Sequence, residues 1–269
     1  MIRPNTTQLS RMLQITRVDL SYFFRTKWLI GTLLGLNLTD MLVVGIIYSK
    51  MIPTVIEGLA LHYFQFYAPG VIITGLFFAS FDVGRRVHLG LTEGVSQYYL
   101  SLPVSLDEIA WAHLLSAGLG GAIYAGLLTL MAAVLVPQLA SVSTLLLVPF
   151  LFILATGLSG IAAALNLFSR TGDRYFTFAD GIQTLMVGLS TVAYPISTFG
   201  GYFPAALVTV IQYNPLSQGA EALRSIINGG SIGSEFNLQT LVLTSLLLLV
   251  VGVFSYRHVF TKLRDVGKI

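Results

Sequence analysis

The feature that most constrains this 269-residue chain is a repeated one: apolar runs of about twenty residues, separated by short polar stretches. Twenty residues of α-helix rise about 30 Å, the thickness of the hydrocarbon core of a bilayer. The runs fall at 28–49, 67–84, 111–136, 143–168, 181–199 and 238–257, with 67–84 and 181–199 the least cleanly bounded. Charged residues make up only 10% of the chain. A soluble domain carries about 25%, so too few charges are present to cover a water-facing surface. The expected fold is all-α and integral to the membrane: a single transmembrane domain over 1–269 with six transmembrane helices.

Basic residues concentrate on the cytoplasmic side of membrane proteins. A six-span path with both termini in the cytoplasm places Arg3, Arg11, Arg17, Arg25, Lys27, Arg85, Arg86, Arg170, Arg174, Arg257, Lys262, Arg264 and Lys268 there. Of the 15 basic residues only Lys50 and Arg224 then fall outside. An odd number of spans would separate the two basic termini and weaken the asymmetry. The expected location is therefore a cell membrane, crossed many times, with both the N- and C-termini cytoplasmic. The apolar run after the basic N-terminus is too long for a signal-peptide core, and no small-residue cleavage site closes it.

Before the first span, residues 8–26 are expected to form an interfacial amphipathic helix lying in the headgroup plane. Leu9, Leu13, Leu20, Phe23 and Phe24 fall roughly on one face, with Arg11, Gln14, Ser21 and Arg25 on the other. The alternative is a frayed tail. Between the fifth and sixth runs, the segment 200–237 contains Gly200, Gly201, Pro204 and Pro215 around the apolar stretch 205–211. It is too broken to span and suits a re-entrant extracellular hairpin of short helices packed against protein. Gly118, Gly120, Gly121 and Gly126 form either a helix–helix contact face or a hinge.

No phosphate-binding loop, dinucleotide fingerprint or nucleophile elbow is present. Cysteine is absent, and His62, His88, His113 and His258 lie far apart. The sequence therefore offers no catalytic residue and no metal-ligand set, and the chain is not expected to be an enzyme. Work done by such a chain draws its energy from a partner or from an ion gradient. Asp40 lies inside the first run, one helical turn after Asn37, so the two are expected to share a face. They either line a path or form an interhelical polar pair. An ATP-independent secondary transporter or channel is the alternative functional class. It would require more intramembrane charge or an inverted repeat, and the sequence shows neither.

The stretch 82–110 is the most informative cytoplasmic segment. Ser105 followed by Asp107 and Glu108 reads as a capped helix start, and 93–100 reads as a short amphipathic helix parallel to the membrane. A loop of nearly thirty residues suggests a docking surface. The run LTEGVSQYYLSLPVSLDEI over 91–109 resembles the segment between the second and third spans of type-2 ABC exporter permeases. That family carries roughly Glu-x-Gly-Thr-x-x-x-Leu-x-x-x-Pro-Val-Ser, then an acidic and an aliphatic residue. The run YNPLSQGAEALR over 213–224 is similar to the family's Asn-Pro-[LF]-[ST] motif, with an Arg nine residues after the Pro.

The resemblance implies the membrane-spanning permease subunit of an ATP-driven exporter, moving an amphipathic, drug-like, lipid or lipid-linked glycan substrate outward. It implies two partners, a separate ATP-binding cassette subunit and a second permease protomer, with a homodimer or a heterodimer both open. The chain itself would hold no cofactor, since ATP and Mg would bind the partner; membrane lipid surrounds it, and nothing points to nucleic acid. Within the coupling loop 86–110, Glu93, Gln97, Tyr98 and Leu100 would form the coupling helix, held by Arg85 and Arg86. At the extracellular gate, Asn214 and Pro215 would break a helix, with Glu221 and Arg224 anchoring it at the water interface.

Overall fold

The computed structural model describes residues 7–51, 62–169, 171–229 and 238–265, without the side chains of Leu29, His88, Leu91, Thr92, Ser96, Gln97 and Leu100. Arg3, Arg170, Lys268 and the end of the expected hairpin, 230–237, therefore lie outside the described residues, as do the Gln97 and Leu100 side chains. Within the described residues all regular structure is helical. Five helical stretches are long and apolar enough to cross a bilayer: Ile30–Met51, Tyr63–Val87, Leu106–Ala133, Val142–Ser169 and Leu238–Asp265. This fits a multi-pass membrane protein.

Helix α1 (Gln8–Arg25) opens on Thr7, whose hydroxyl accepts from the Ser10 amide, and closes at Thr26. It is amphipathic, but its apolar arc is divided. Ile15, Thr16 and Phe23 are buried, whereas Leu9, Leu13 and Phe24 are exposed. The protein-facing side thus includes Ile15 and Thr16, and the outward apolar side remains free for lipid.

The first span consists of α2 (Lys27–Thr39), a π-helical turn over Asp40–Val44, and α3 (Gly45–Met51). α4 (Tyr63–Thr92) is the axis of the molecule and is almost entirely buried along its membrane-length stretch. α6 (Leu106–Ala133) and α7 (Val142–Ser169) flank α4, and α12 (Leu238–Asp265) lies along α7. Small residues allow these approaches. A Cβ on Gly157 would stand 2.6 Å from the Leu248 carbonyl carbon, and one on Gly121 would stand 2.9 Å from Ser80 Oγ. Gly118 likewise abuts Thr156, and Gly120 rests on Phe23, but Gly126 faces open space. The glycine cluster of α6 is thus a contact face over three of its four members.

Two boundaries differ from the sequence reading. α4 runs on to Thr92, so 86–110 is not one long loop: Glu93 and Gly94 join α4 to the short helix α5 (Val95–Ser101), and α6 begins at Leu106. The helix continues past 84 because Asp82 pairs with Arg85 and Arg86 one turn on, which keeps these charges compatible with a packed helix. The apolar run 181–199 is not one helix. α8 (Gly172–Gly188) ends there, a non-helical stretch follows, and α9 (Ile196–Gly200) is a single short turn. After it come α10 (Ala205–Tyr213) and α11 (Pro215–Ile227), each too short to span.

Candidate functional site

Two clusters occupy opposite ends of α4. From Phe66 to Glu93 the chain rises about 40 Å, enough to separate the two faces of a bilayer.

At the α5 end, Gly94 adopts φ 76°, a left-handed conformation that lets the chain turn sharply out of α4. Glu93 therefore belongs to the junction and not to the short helix. α5 is tied back by Tyr99, which is buried and donates from its hydroxyl to Asp19 Oδ1 of α1 at 3.2 Å. Burial, reinforced by the Asp19 carboxylate, holds the Tyr99 phenol well above its ordinary range, so it remains a donor. Tyr98 is 56% exposed, and Val95 and Glu93 are also exposed. α5 and its junction with α4 thus present an aromatic, an aliphatic and an acidic group outward from a fixed base.

The start of α6 is a complete capping box: Ser105 Oγ accepts from the Glu108 amide at 3.2 Å, and the Ser105 amide donates to Glu108 Oε2 at 2.6 Å. Sequence spacing alone indicates this. It does not indicate that Glu108 Oε1 also receives Arg11 of α1, at 2.9 Å. Arg11 thus sits on a protein contact and not on a lipid-facing polar side, and α1 is bolted to α6. Among the described residues, the partner of Arg85 and Arg86 is Asp82 of their own helix and not α5. Arg85 Nε donates to Asp82 at 2.8 Å, and Arg86 lies 3.5 Å from the same carboxylate with its guanidinium carbon 5.1 Å from the centre of the Phe23 ring.

At the other end, Arg224 is only 1% exposed. The expectation that it anchors α11 at the water interface is corrected by its partners. Its Nε donates to the Phe66 carbonyl at 2.9 Å, and its Nη2 donates to the carbonyls of Thr191 and Val192 at 2.8 and 3.0 Å. Nη1 meets Glu221 Oε1 at 2.7 Å, and the guanidinium lies 3.6 Å from the centre of the Phe66 ring. The reason is the break after α8. Ser190, Thr191 and Val192 are buried but not helical, so their backbone groups need partners from elsewhere. Arg224 takes two of the carbonyls, and Ser217 Oγ accepts the Thr191 amide at 2.9 Å. Asn214 Nδ2 donates to Met186 and Leu189 carbonyls at 2.8 and 2.6 Å.

Asn214 and Pro215 do separate two helices, but they also start the second. Asn214 Oδ1 accepts from the Leu216 amide at 2.9 Å, and Pro215 occupies the first helical position, where its missing N–H costs nothing. Glu221 Oε1 further accepts from Thr191 Oγ1 at 3.0 Å. Asn214, Glu221 and Arg224 are therefore one cluster with the 189–195 break, which sequence reasoning missed as a partner.

Asn37 and Asp40 do not pair. Asn37 is buried and donates from Nδ2 to Tyr124 Oη at 2.9 Å. Asp40 is exposed and accepts from the Tyr67 hydroxyl at both carboxylate oxygens, 3.0 and 2.9 Å. One turn apart, the two residues face different neighbours: Asn37 faces α6, and Asp40, opening the π-helical turn, faces α4.

The path of α8 relates the two ends. Its Tyr175 hydroxyl donates to the Phe81 carbonyl at 2.7 Å, while a Cβ on Gly70 would collide with the Val192 backbone. Phe81 and Gly70 are about 16 Å apart along α4, so α8 runs antiparallel to it. No family model matches this chain, and no curated protein matches it.

Proposed function

We propose that this chain is the permease subunit of an ATP-driven exporter of the type-2 ABC class, and that α5 is the surface on which a separate ATP-binding cassette subunit docks. The observation that carries this reading is the build of α5. It is a seven-residue helix between two long ones, fixed at its base through Tyr99 and Asp19, with Tyr98, Val95 and Glu93 turned outward. A push on such a helix passes directly to α1, α4 and α6, which share its base, and is not absorbed by a loose loop. ATP and Mg belong to the partner; this chain brings no phosphate-binding loop.

In this reading α8 and the break after it form the fifth of six crossings, and the antiparallel run from the level of Phe81 to that of Gly70 supports it. Six crossings return both termini to the cytoplasmic side of a cell membrane, where α5 also lies, as the distribution of basic residues requires. α9, α10 and α11 form the extracellular re-entrant hairpin and gate, closed over the path by Arg224, Glu221 and Asn214. The largely exposed first span and α12 meet lipid and a second permease protomer, a homodimer by preference. ATP binding, through its different affinity for the two arrangements of the cassettes, drives the change of state. The cargo is amphipathic.

The test is co-purification of the tagged chain from native membranes in mild detergent, followed by an ATP hydrolysis assay. A cassette subunit is expected to accompany the chain. Glu93→Ala with Tyr98→Ala is expected to abolish its recovery while membrane insertion stays normal. Full recovery with the double variant, or a chain that comes down alone after cross-linking, overturns the assignment. The second outcome favours an ATP-independent transporter.

A further inference from the structure

A cavity of about 350 Å³ lies at the α11 end of the molecule, lined by Val44, Tyr48, Tyr63, Tyr67, Ala193, Tyr194, Pro195 and Thr198. We propose that this cavity, with the Asp40 carboxylate beside it, binds an amphipathic organic cation. As a statement about transported cargo this rests on the exporter reading; as a binding site it does not.

The first observation is aromatic. Four of the eight lining residues are tyrosines. The rings of Tyr48 and Tyr63 have centroids 5.6 Å apart, and Tyr63 and Tyr67 stack at 5.6 Å with 16° between planes. Aromatic faces carry negative electrostatic potential and attract ammonium and guanidinium groups, most strongly where water is excluded.

The second observation is the carboxylate. Asp40 sits midway along the span Ile30–Met51, yet it is exposed. Its oxygens take the Tyr67 hydroxyl, and among the described residues no basic side chain pairs with it. A carboxylate at that depth is costly unless a cation or water compensates it. The Tyr67 ring lines the cavity while its hydroxyl holds the carboxylate, which places negative charge at the cavity's rim. The nearby guanidinium of Arg224 is buried, stacks on the Phe66 ring and pairs with Glu221 at 2.7 Å, so its positive charge is largely offset by that carboxylate.

The third is the wall. Ala193, Tyr194 and Pro195 belong to the non-helical stretch whose preceding carbonyls Arg224 holds. Any rearrangement of the gate cluster therefore reshapes the cavity. Its volume is in the range of sites that enclose small organic molecules.

The probe is tritiated tetraphenylphosphonium, with tetraphenylborate as a competitor of the same shape and opposite charge. Equilibrium binding is measured on the chain alone in phosphatidylcholine nanodiscs, with empty nanodiscs subtracted. Saturable binding is expected, displaced by unlabelled phosphonium and not by borate. Asp40→Asn is expected to weaken it about tenfold, and Tyr63→Ala or Tyr194→Ala about fivefold, as cation–π attraction predicts. Tyr63→Phe keeps the ring and stays within about twofold. Tyr194 is 60% exposed, so its truncation leaves the fold intact and keeps the test decisive if Asp40→Asn misfolds.

Absent saturable binding, equal displacement by borate, or unchanged affinity in Asp40→Asn and Tyr194→Ala overturns the proposal. Displacement by a neutral alkyl glycoside with no dependence on Asp40 would assign the tyrosines to sugar stacking and also overturn it. No cassette subunit takes part, so a positive result with a chain that fails to recruit an ATPase would retain the cation site and reject the exporter.

Discussion

Replacing Arg224 by methionine should loosen the α11 end of the molecule by a calculable amount. The guanidinium donates to three carbonyls and to Glu221. The Phe66 carbonyl lies in α4 and keeps its helical partner, and Glu221 is 31% exposed and can hydrate. The carbonyls of Thr191 and Val192 have no such recourse, being in the buried, non-helical break. Leaving each unpaired costs about 1–3 kcal/mol. The two together cost about 2–6 kcal/mol, which brackets the range of about 3–5 kcal/mol for breaking a buried charged contact.

For a chain of this size about 1 kcal/mol corresponds to about 2–4 °C, so the melting temperature in detergent should fall by roughly 10 °C. Arg257→Met is the matched control. Its pair with Asp107 is about half exposed at both partners, and such pairs are worth about 0–1 kcal/mol. Thermal unfolding followed by size-exclusion chromatography reads both. If Arg224→Met melts within about 2 °C of the native chain, the break is not held as argued, and the gate cluster loses its physical basis.

Ser105→Ala removes one half of the α6 capping box and should cost about 1 kcal/mol. Glu108→Ala should cost more, because it also removes the carboxylate that joins Arg11 of α1 to α6, and the same melting assay orders the two. Gly252→Leu should destabilise strongly, since a Cβ there meets the Gly157 backbone, whereas Gly126→Ala faces open space and should be neutral or slightly stabilising. Tyr99→Phe removes the hydroxyl that ties α5 to Asp19. It should lower stability by about 1–2 kcal/mol and expose α5 to limited proteolysis.

How much of this was legible in the sequence depended on the range of the interaction responsible. Hydropathy located five of the expected spans because burial in lipid is a property of the run itself. The Ser105–Glu108 cap was legible because both partners lie within one turn. The extension of α4 to Thr92 was not, since Arg85 and Arg86 looked like loop charges until Asp82 was seen to share their face. The break after Gly188 was hidden altogether. The stretch is apolar enough to continue a helix, and what allows it to leave one is a set of donors, Asn214, Ser217 and Arg224, about 25–33 residues later. For the same reason Arg224 looked like a surface anchor. Asp40 was visible as unusual, but its partner Tyr67 and the neighbouring Tyr63 come from α4, and Tyr194 comes from the break after α8.

The most direct test of the account uses the absence of cysteine from the chain. Tyr98→Cys places a single thiol on the exposed face of α5, and Tyr202→Cys places one at the opposite end, on a residue 85% exposed. A short bifunctional cross-linker applied in native membranes, followed by mass spectrometry of the adducts, reads what each position touches. The account predicts that Tyr98→Cys captures a subunit containing a nucleotide-binding cassette, with a yield that changes when ATP is added, and that Tyr202→Cys does not. Capture of no such subunit from Tyr98→Cys, or equal capture from both positions, would contradict the assignment of α5 as the docking surface and, with it, the exporter reading.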